Sequence, residues 1–297
     1  MDRGPDITVA LAWSIINRIP SEFPEAESGV LKGGGEVGLV REPTRLDNPE
    51  PLIFEFQEYG ERWTTSHSLC ADAQKVLEIY GPLAVKEKWI LGQLGQSLDG
   101  RIATEAGDSH YVTGDEDLIR LHRIRSMADA VIVGANTVIS DNPKMTVRMV
   151  EGSNPVRVIL DPQGRLDNDS FVFQDRSAKT IVLRGRGISL SQSHPAVEMI
   201  DLDYVKGEGF GMSELKSILR QEGYKKILVE GGGVTVSRFL QAGALDRLHI
   251  TVAPMIIGSG RRGLELSAIE SLSEAIKPKC RQFKLGNDVL FDLNLRI

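Results

Sequence analysis

Short apolar runs alternate with amphipathic segments along the chain from residue 88 onward. An apolar run bounded by turn residues is typical of a buried strand, and apolar residues three or four positions apart are typical of a helix that covers a sheet. Strands are predicted at residues 89–94, 130–133, 156–160, 180–183, 197–200, 226–229, 248–257 and 289–295. Helices are predicted at residues 115–126, 213–222 and 234–242.

Buried strands separated by helices predict an α/β fold, with a mostly parallel sheet covered by helices on both faces. In the last strand, polar and apolar residues alternate with a period of two, and the strand follows Gly286-Asn287. This pattern is typical of one arm of a hairpin, so we expect antiparallel pairing at the C-terminal strand. Ligands of such a sheet bind beyond the carboxyl ends of its strands.

The first 86 residues follow a different pattern. Apolar residues at helical spacing predict a helix from Ile7 to Ile19, with Asp6 as its cap and Pro20 as its end. The stretch from residue 21 to residue 50 is rich in glycine, proline and glutamate, and we expect it to be irregular.

A short strand is predicted at residues 52–56, where apolar residues alternate, and a second helix at 69–80, ended by Gly81 and Pro82. No motif of known chemistry occurs in this part of the chain. We therefore expect a small N-terminal domain over residues 1–86, with a packing or oligomerisation role, and the functional domain over residues 87–297.

Composition narrows the possible partners. The net charge of −6 with both signs interspersed argues against general nucleic-acid binding, which needs a basic face. Cys70 and Cys280 lie far apart and form no C-x-x-C, so we expect neither a disulfide framework nor a zinc knuckle, and a reducing cytoplasm fits. No apolar run is long enough to span a bilayer, and acidic residues flank the first one, unlike a secretory signal.

The most informative stretch is KILVEGGG at residues 226–233. A buried strand ends there at a carboxylate, Glu230, and three glycines then open a helix. Bare glycines let a ligand approach the backbone, and the first turn of a helix offers free N–H groups to an anion. A tight strand-to-helix turn is the alternative, but it needs fewer glycines, so the pattern favours phosphate or pyrophosphate binding.

Other strand ends should lie along the same edge of the sheet: Gly134, Asp161 and Arg184. Gly134 is a candidate for cofactor binding. Arg184, with Arg186, is a candidate for binding an adenosine 2′-phosphate, although arginines in a solvated loop would give the same pattern.

Several other chemistries are not supported. Residues 258–263 match G-x-G-x-x-G, but no strand with a terminal acidic residue follows about 20 residues later, so we interpret them as a Gly/Arg-rich turn. Walker A and G-x-S-x-G motifs are absent from the sequence. The five histidines are scattered without metal-ligand spacing, so we expect no metal site.

Seven motifs, taken in order, resemble a known family. They are SLDGR at 97–101, GDSHYVTG at 107–114, LHRIR at 121–125, VGANTV at 133–138, DNPKMTVR at 141–148, LVEGGG at 228–233 and APMIIG at 253–258. Over about residues 87–297 the chain resembles the reductase domain of bacterial riboflavin biosynthesis, the 5-amino-6-(5-phosphoribosylamino)uracil reductases. The resemblance implies a dihydrofolate-reductase-like, three-layer fold and an NADPH-dependent reductase activity.

The implied reaction is transfer of a hydride from NADPH to C1′ of the ribosylamine, in its ring-opened imine form, which gives a ribityl group. The implied substrate contacts are Gln93, Ser109, Arg125, Met145, Arg148 and Glu230. The implied cofactor contacts are Gln96, Tyr111, Thr137, Asp141, Gly232, Gly233, Val234 and Thr235. Asp141 beside the nicotinamide and Glu230 beside the substrate would be the catalytic carboxylates.

The sequence departs from the family at three points. Gln93 stands where the family often has Lys, Tyr111 stands where it often has Trp, and the usual deaminase domain is not recognised. Two alternatives therefore stay open: an NADPH-dependent reductase of another pyrimidine or pterin, and a non-catalytic nucleotide-binding protein. We further expect a cytoplasmic homodimer that binds a small phosphorylated substrate and interacts with neither nucleic acid nor a membrane.

Overall fold

The computed structural model describes residues 7–19, 29–33, 52–167, 169–188 and 197–296. The chain divides into two compact units, one over residues 1–88 and the other over residues 89–297, whereas the sequence pattern predicts the division after residue 86. In the described residues no helix combines the length and the apolar character that crossing a membrane requires.

The described residues of the N-terminal unit form two α-helices and a three-stranded antiparallel sheet. Its elements are α1 (Val9–Arg18), β1 (Gly29–Gly33), β2 (Leu52–Gln57), β3 (Arg62–Thr65) and α2 (Ala71–Val85), and the sheet order is β1-β2-β3. The strand β1 lies in the stretch that the sequence predicts to be irregular, so that prediction is wrong at residues 29–33. A strand forms there because β2, which lies further along the chain, pairs with it from Gly29 opposite Phe56 to Gly33 opposite Leu52.

Both helix boundaries of this unit differ from the prediction. Helix α1 begins at Val9, and the Thr8 hydroxyl caps it by accepting a hydrogen bond from the Leu11 N–H at 3.3 Å. The predicted cap, Asp6, and the predicted end, Pro20, lie outside the described residues.

Helix α2 does not end at Gly81 and Pro82 but continues to Val85. Gly81 serves packing instead of termination. A Cβ atom at this position would lie 2.4 Å from Trp63 Nε1 and 2.6 Å from the Gly60 carbonyl oxygen. Only glycine lets these groups approach the helix so closely.

The described residues of the second unit form one nine-stranded sheet and two small two-stranded sheets. Its strands are β4 (Trp89–Ser97), β5 (Arg101–Thr104), β6 (Ala130–Gly134), β7 (Val156–Asp161), β8 (Thr180–Gly185), β9 (Val197–Leu202), β10 (Tyr204–Val205), β11 (Gly209–Phe210), β12 (Lys226–Val229), β13 (Arg247–Ala253), β14 (Gly260–Arg262), β15 (Lys279–Leu285) and β16 (Asp288–Asn294). Its helices are α3 (Asp115–Met127), α4 (Ala135–Asp141), α5 (Phe171–Gln174), α6 (Met212–Gln221) and α7 (Gly233–Gln241). The two small sheets are β10-β11 and β14-β5.

The order of the large sheet is β15-β16-β13-β4-β12-β6-β7-β8-β9. All neighbours from β13 to β9 are parallel, and β15 and β16 form an antiparallel hairpin at one edge. The predicted α/β class, with a mostly parallel sheet and antiparallel C-terminal strands, is therefore confirmed. The parallel strands place their carboxyl ends along a single edge.

Two predictions for the C-terminal part are corrected. The strand expected at 248–257 ends at Ala253, because Pro254 has no N–H to donate to a sheet. Residues 260–262, which the sequence analysis places in a turn, form the strand β14, which pairs with β5. The G-x-G-x-x-G match is thus part of a small two-stranded sheet.

One side of the large sheet is covered by α6 and α7. Leu215 and Leu219 from α6 and Val236 and Phe239 from α7 are almost completely buried with the strand residues of this core. Burial of each such side chain stabilises the fold by roughly 1.5–3 kcal/mol. This packing fixes where α7 starts, and therefore where the glycines before it lie.

Candidate active site

A cavity of about 1610 Å³ opens at the carboxyl ends of the parallel strands. Gly134 at the end of β6, Leu160 near the end of β7 and Gly231 after β12 contribute to its wall. This cavity therefore opens at the edge of the sheet that the sequence analysis selects for ligand binding.

Most of the predicted site residues meet at this cavity. Those that line it are Gln93, Ser109, Tyr111, Arg125, Gly134, Thr137, Asp141, Met145, Arg148, Gly232, Gly233, Val234 and Thr235. Gln96, Arg184 and Glu230 do not belong to its lining. The roles of all these residues stay predictions, and the contacts below indicate what each side chain is able to do.

Glu230 is held behind the wall by Arg125. The guanidinium of Arg125 donates two hydrogen bonds to this carboxylate, from Nε to Oε1 at 2.7 Å and from Nη2 to Oε2 at 2.6 Å. Burial alone would lower the pKa of Arg125, but the charge and hydrogen bonds of Glu230 raise it above its ordinary value. The two residues therefore form a buried ion pair, and the Glu230 carboxylate is engaged by Arg125 instead of facing the cavity.

Arg148 is the second arginine of this corner, and among the described residues no carboxylate forms an ion pair with it, although the Glu230 charge acts on it from further away. Its Nη1 donates to Thr146 Oγ1 at 3.0 Å, and its backbone N–H donates to His122 Nδ1 at 3.0 Å. Burial, followed by the charges of Arg125 and Arg148, lowers the pKa of His122 to about 4. His122 is therefore neutral near pH 7, which is the state in which Nδ1 can accept this bond.

Asp141 lies at the end of α4 and lines the cavity. Burial raises the pKa of its carboxyl group, and His110, a hydrogen bond from Ser109 and Arg261 partly offset this effect. A carboxyl group with a raised pKa holds its proton to a higher pH than a solvated aspartate. Among the described carboxyl groups that line the cavity, Asp141 has a raised pKa. A carboxyl group that holds its proton in this way is suited to donate it to a bound substrate.

The three glycines after β12 have three different structural reasons. Gly231 has a φ of +86°, in the left-handed region that favours glycine. The Gly232 N–H donates to Thr137 Oγ1 at 2.8 Å. A Cβ atom at Gly233 would lie only 2.0 Å from the Gly263 carbonyl oxygen. Internal packing therefore accounts for much of the glycine pattern, and the Gly232 N–H already has a partner inside the protein.

Gln96 packs behind the same wall. A Cβ atom at Gly263 would lie 2.5 Å from Gln96 Oε1, so this amide sits directly beneath the chain that follows β14. Contact between Gln96 and a cofactor would require an opening between these two groups.

Arg184 and Arg186 are paired with carboxylates. Arg184 Nε donates to Asp201 Oδ1 at 2.7 Å, and Arg186 Nε donates to Asp203 Oδ1 at 2.7 Å. Neither arginine lines the cavity.

Four other arginines that the sequence analysis did not select do line the cavity: Arg165, Arg238, Arg261 and Arg262. Arg165 Nη1 donates to Asn136 Oδ1 at 2.8 Å, and Arg261 Nη1 donates to Ser140 Oγ at 3.1 Å. Arg261 lies within the G-x-G-x-x-G match, so the sequence analysis did consider this segment. The pairing of β14 with β5, which brings Arg261 to the cavity, could not be predicted from the local sequence. Arg165 comes four residues after Asp161, the last residue of β7, whereas the sequence analysis considered only the residue at the strand end itself.

Comparisons with known proteins agree with this architecture. Residues 88–291 match the RibD C-terminal domain family. The chain is 31% identical over 220 residues to the 2,5-diamino-6-ribosylamino-4(3H)-pyrimidinone 5′-phosphate reductase of Methanothermobacter thermautotrophicus, covering 70% of this chain and 98% of that protein. It is 32% identical over 224 residues to the riboflavin biosynthesis protein RibD of Aquifex aeolicus, covering 74% of this chain and 61% of that protein.

A solved structure supports the same assignment. The diaminohydroxyphosphoribosylaminopyrimidine deaminase/5-amino-6-(5-phosphoribosylamino)uracil reductase of Thermotoga maritima superposes with a TM-score of 0.58 at 29% identity, covering 75% of this chain and 61% of that one. The fold and these matches define a reductase of the riboflavin biosynthesis type. The chain belongs to the RibD C-terminal domain family, which confirms the predicted family. It spans about three-fifths of the length of the Aquifex aeolicus and Thermotoga maritima proteins.

Proposed function

We propose that this protein uses NADPH to reduce the ribosyl group of a 5-phosphoribosylamino-pyrimidine to a ribityl group. The observation that carries the proposal is the joint lining of one cavity by Arg148, Asp141 and the glycine-rich start of α7. These features supply a cation for a phosphate, a carboxyl group for a proton and backbone N–H groups for a pyrophosphate.

Arg148 is the proposed partner of the substrate phosphate. Arg125 donates two hydrogen bonds to Glu230 and a third to the Thr146 carbonyl oxygen at 3.3 Å. The Glu230 carboxylate therefore balances its charge in the absence of a ligand. Arg148, Arg125 and Glu230 together carry one net positive charge, and Glu230 is hydrogen-bonded to Arg125. A phosphate dianion at this point gains most from Arg148, while Arg125 and Glu230 hold the wall in place.

The start of α7 and two arginines are the proposed cofactor groups. The first turn of α7 offers the N–H groups of Gly233 and Val234 to a pyrophosphate. Arg165 and Arg238 line the cavity and are the proposed partners of the 2′-phosphate that distinguishes NADPH from NADH. Arg165 Nε has a long contact of 3.9 Å with Asp161 Oδ1, whereas Arg184 is hydrogen-bonded to Asp201 at 2.7 Å and does not line the cavity.

Asp141 is the proposed proton source. Opening of the ribose ring breaks the C1′–O4′ bond, and O4′ takes up a proton while C1′ becomes doubly bonded to the amine nitrogen. The hydride then adds to C1′, so the reduction consumes one hydride and one proton overall. The raised pKa of Asp141 favours the protonated form that this step needs.

The deciding experiment is a steady-state assay of NADPH oxidation with the purified full chain. Two substrates are compared: 5-amino-6-(5-phosphoribosylamino)uracil and its 2,5-diamino-pyrimidinone counterpart. Turnover of either one with formation of a ribityl product supports the proposal. Turnover of a pterin alone, or binding of NADPH without turnover of any of these compounds, would replace it with one of the two alternatives. The homodimer and the cytoplasmic location stay predictions.

A further inference from the structure

Arg120 is one of the largest fully buried side chains of the described residues, with 1% exposure. It lies on α3 beneath the cavity and donates three hydrogen bonds. Its Nε donates to Asp117 Oδ1 at 2.7 Å, its Nη1 to His249 Nδ1 at 2.9 Å and its Nη2 to Gln93 Oε1 at 3.2 Å. The last partner, Gln93, also lines the cavity.

The chemistry of arginine determines how the Gln93 amide is oriented. A guanidinium has only donors, so the Gln93 atom that faces Arg120 must be the carbonyl oxygen, whichever way the amide is drawn. The amide nitrogen Nε2, with two hydrogens, is left on the other side. Gln93 is 9% exposed and lines the cavity, so Nε2 is the polar group that it can offer there.

Arg120 also determines which ring nitrogen of His249 carries the proton, because a guanidinium can only donate. Its Nδ1 must accept the bond from Arg120, so the ring proton of the neutral form is on Nε2, which lies 3.2 Å from Asp292 Oδ1. Burial lowers the pKa of His249, in agreement with a neutral ring. Gln93, His249 and Asp292 are directly paired neighbours across β4, β13 and β16.

The remaining partners prevent Arg120 from rotating. Asp117 also accepts hydrogen bonds from Thr251 Oγ1 at 2.7 Å and from Thr113 Oγ1 at 2.8 Å, so three elements hold this carboxylate. On the far side, Asp292 is bound by Arg247 and Arg281. Rotation of the Arg120 guanidinium would break its bonds to Asp117, His249 and Gln93 together, and burial makes the loss of each such bond costly.

We infer that Arg120 is a positioning residue that holds the Gln93 amide with its N–H groups toward the cavity, so that the site selects a substrate with a hydrogen-bond acceptor at this point. The inference rests on the proposed function, and it specifies the substrate further. A ring carbonyl or an unprotonated ring nitrogen would be accepted opposite Gln93. An amino group there would meet the amide hydrogens and would be rejected.

The first test is Gln93→Glu in the full chain, assayed with NADPH and the substrate that the wild type turns over. The variant keeps an oxygen toward Arg120 and replaces the N–H groups at the cavity by an oxygen. We expect the KM of the pyrimidine to rise roughly tenfold to a hundredfold, with a much smaller change in kcat. Gln282→Glu makes the same chemical change at an exposed position on β15 and should leave the KM unchanged. An unchanged KM in Gln93→Glu would overturn the inference.

The second test addresses Arg120 through a double-mutant cycle. Arg120→Lys keeps the positive charge beside Asp117 but cannot reach all three partners in the same plane. It should raise the KM in the wild-type background and have no further effect on the KM in Gln93→Met, because there is no amide left to orient. An equal rise in both backgrounds would mean that Arg120 acts through the general structure, and the inference would be wrong.

Failure of the proposed function and failure of the inference about Gln93 give different experimental results. If the wild type oxidises NADPH with neither pyrimidine, the proposed function fails, and the inference about its substrate falls with it. If the wild type is active but Gln93→Glu has an unchanged KM, the proposed function stands and the inference alone is wrong. Should Arg120→Lys not fold, the comparison of Gln93→Glu with Gln282→Glu still tests whether the Gln93 amide donates a hydrogen bond to the substrate, and an unchanged KM in Gln93→Glu still overturns the inference.

Discussion

Arg125, which lines the cavity, and Glu230, which lies behind it, are 105 positions apart in the sequence and form a doubly hydrogen-bonded ion pair. Each was a predicted ligand contact, and each is the main electrostatic partner of the other. The pair joins α3 to the end of β12, so it stabilises the corner in which Arg148 remains to meet an anion. Several expectations for experiment depend on this division of roles.

The first expectation concerns stability. In Glu230→Gln, the Arg125 charge is left buried without a counterion, which we expect to lower the free energy of unfolding by about 3 kcal/mol. Urea denaturation followed by fluorescence measures the change. Glu198→Gln is the matched control, because its ion pair with Lys179 is largely solvent-exposed and should matter little. Equal effects of both substitutions would show that burial of the Arg125–Glu230 pair is unimportant.

The second expectation concerns the substrate phosphate. Arg148→Ala should raise the KM of the phosphorylated pyrimidine, corresponding to a loss of about 2 kcal/mol, because a charged hydrogen-bond partner is removed. With the dephosphorylated nucleoside, the variant and the wild type should have similar KM values. Arg176→Ala, an exposed arginine outside the cavity, serves as the control. A similar loss with both substrates would contradict the assignment of Arg148 to the phosphate.

The third expectation concerns the choice between NADPH and NADH. Arg165→Ala should raise the KM of NADPH by roughly tenfold and leave that of NADH nearly unchanged, because only NADPH carries the 2′-phosphate. Arg184→Ala should change neither, since Arg184 is paired with Asp201 and does not line the cavity. Loss of NADPH preference in Arg184→Ala, but not in Arg165→Ala, would restore the assignment made from sequence alone.

The fourth expectation concerns the pH dependence of Asp141. Its folded-state pKa is raised above the ordinary value of 3.8, so the protonated form is favoured by folding, and this contribution to stability is lost as pH rises through the folded pKa. Asp141→Asn should therefore increase the unfolding midpoint at pH 8 relative to the wild type, with little effect at pH 3. Denaturation at the two pH values measures the difference.

The same substitution tests catalysis. If protonated Asp141 supplies the proton, kcat of the wild type should fall as pH rises through the raised pKa, and Asp141→Asn should lower kcat about a hundredfold or more and remove this limb of the profile. A normal kcat with an unchanged pH profile in Asp141→Asn would exclude this role. Ser109→Ala is a useful companion, because loss of its hydrogen bond should raise the pKa of Asp141 further and shift the limb to higher pH.

Local sequence was sufficient for much of the architecture. The apolar periodicities that predict β6, β12 and α7 depend on neighbouring residues alone, because burial of one face of a strand or helix imposes the pattern. The family motifs then indicated the reductase type, and most of the selected residues line one cavity. Strand polarity explains this success, since parallel strands bring their carboxyl ends together whatever the order of the sheet.

The pairings between distant residues were decided only by the tertiary structure. Glu230 could have faced a ligand or an arginine, and only the approach of α3 to β12 makes Arg125 its partner. The glycine at 233 resembles a ligand loop in the sequence, but its closest neighbour is the carbonyl of Gly263. The sequence by itself determined the elements and the edge at which chemistry is located, because those follow from local periodicity. Which polar groups remain free for a ligand depends on contacts across the folded chain, because each buried charge or amide is satisfied by whatever lies beside it in space.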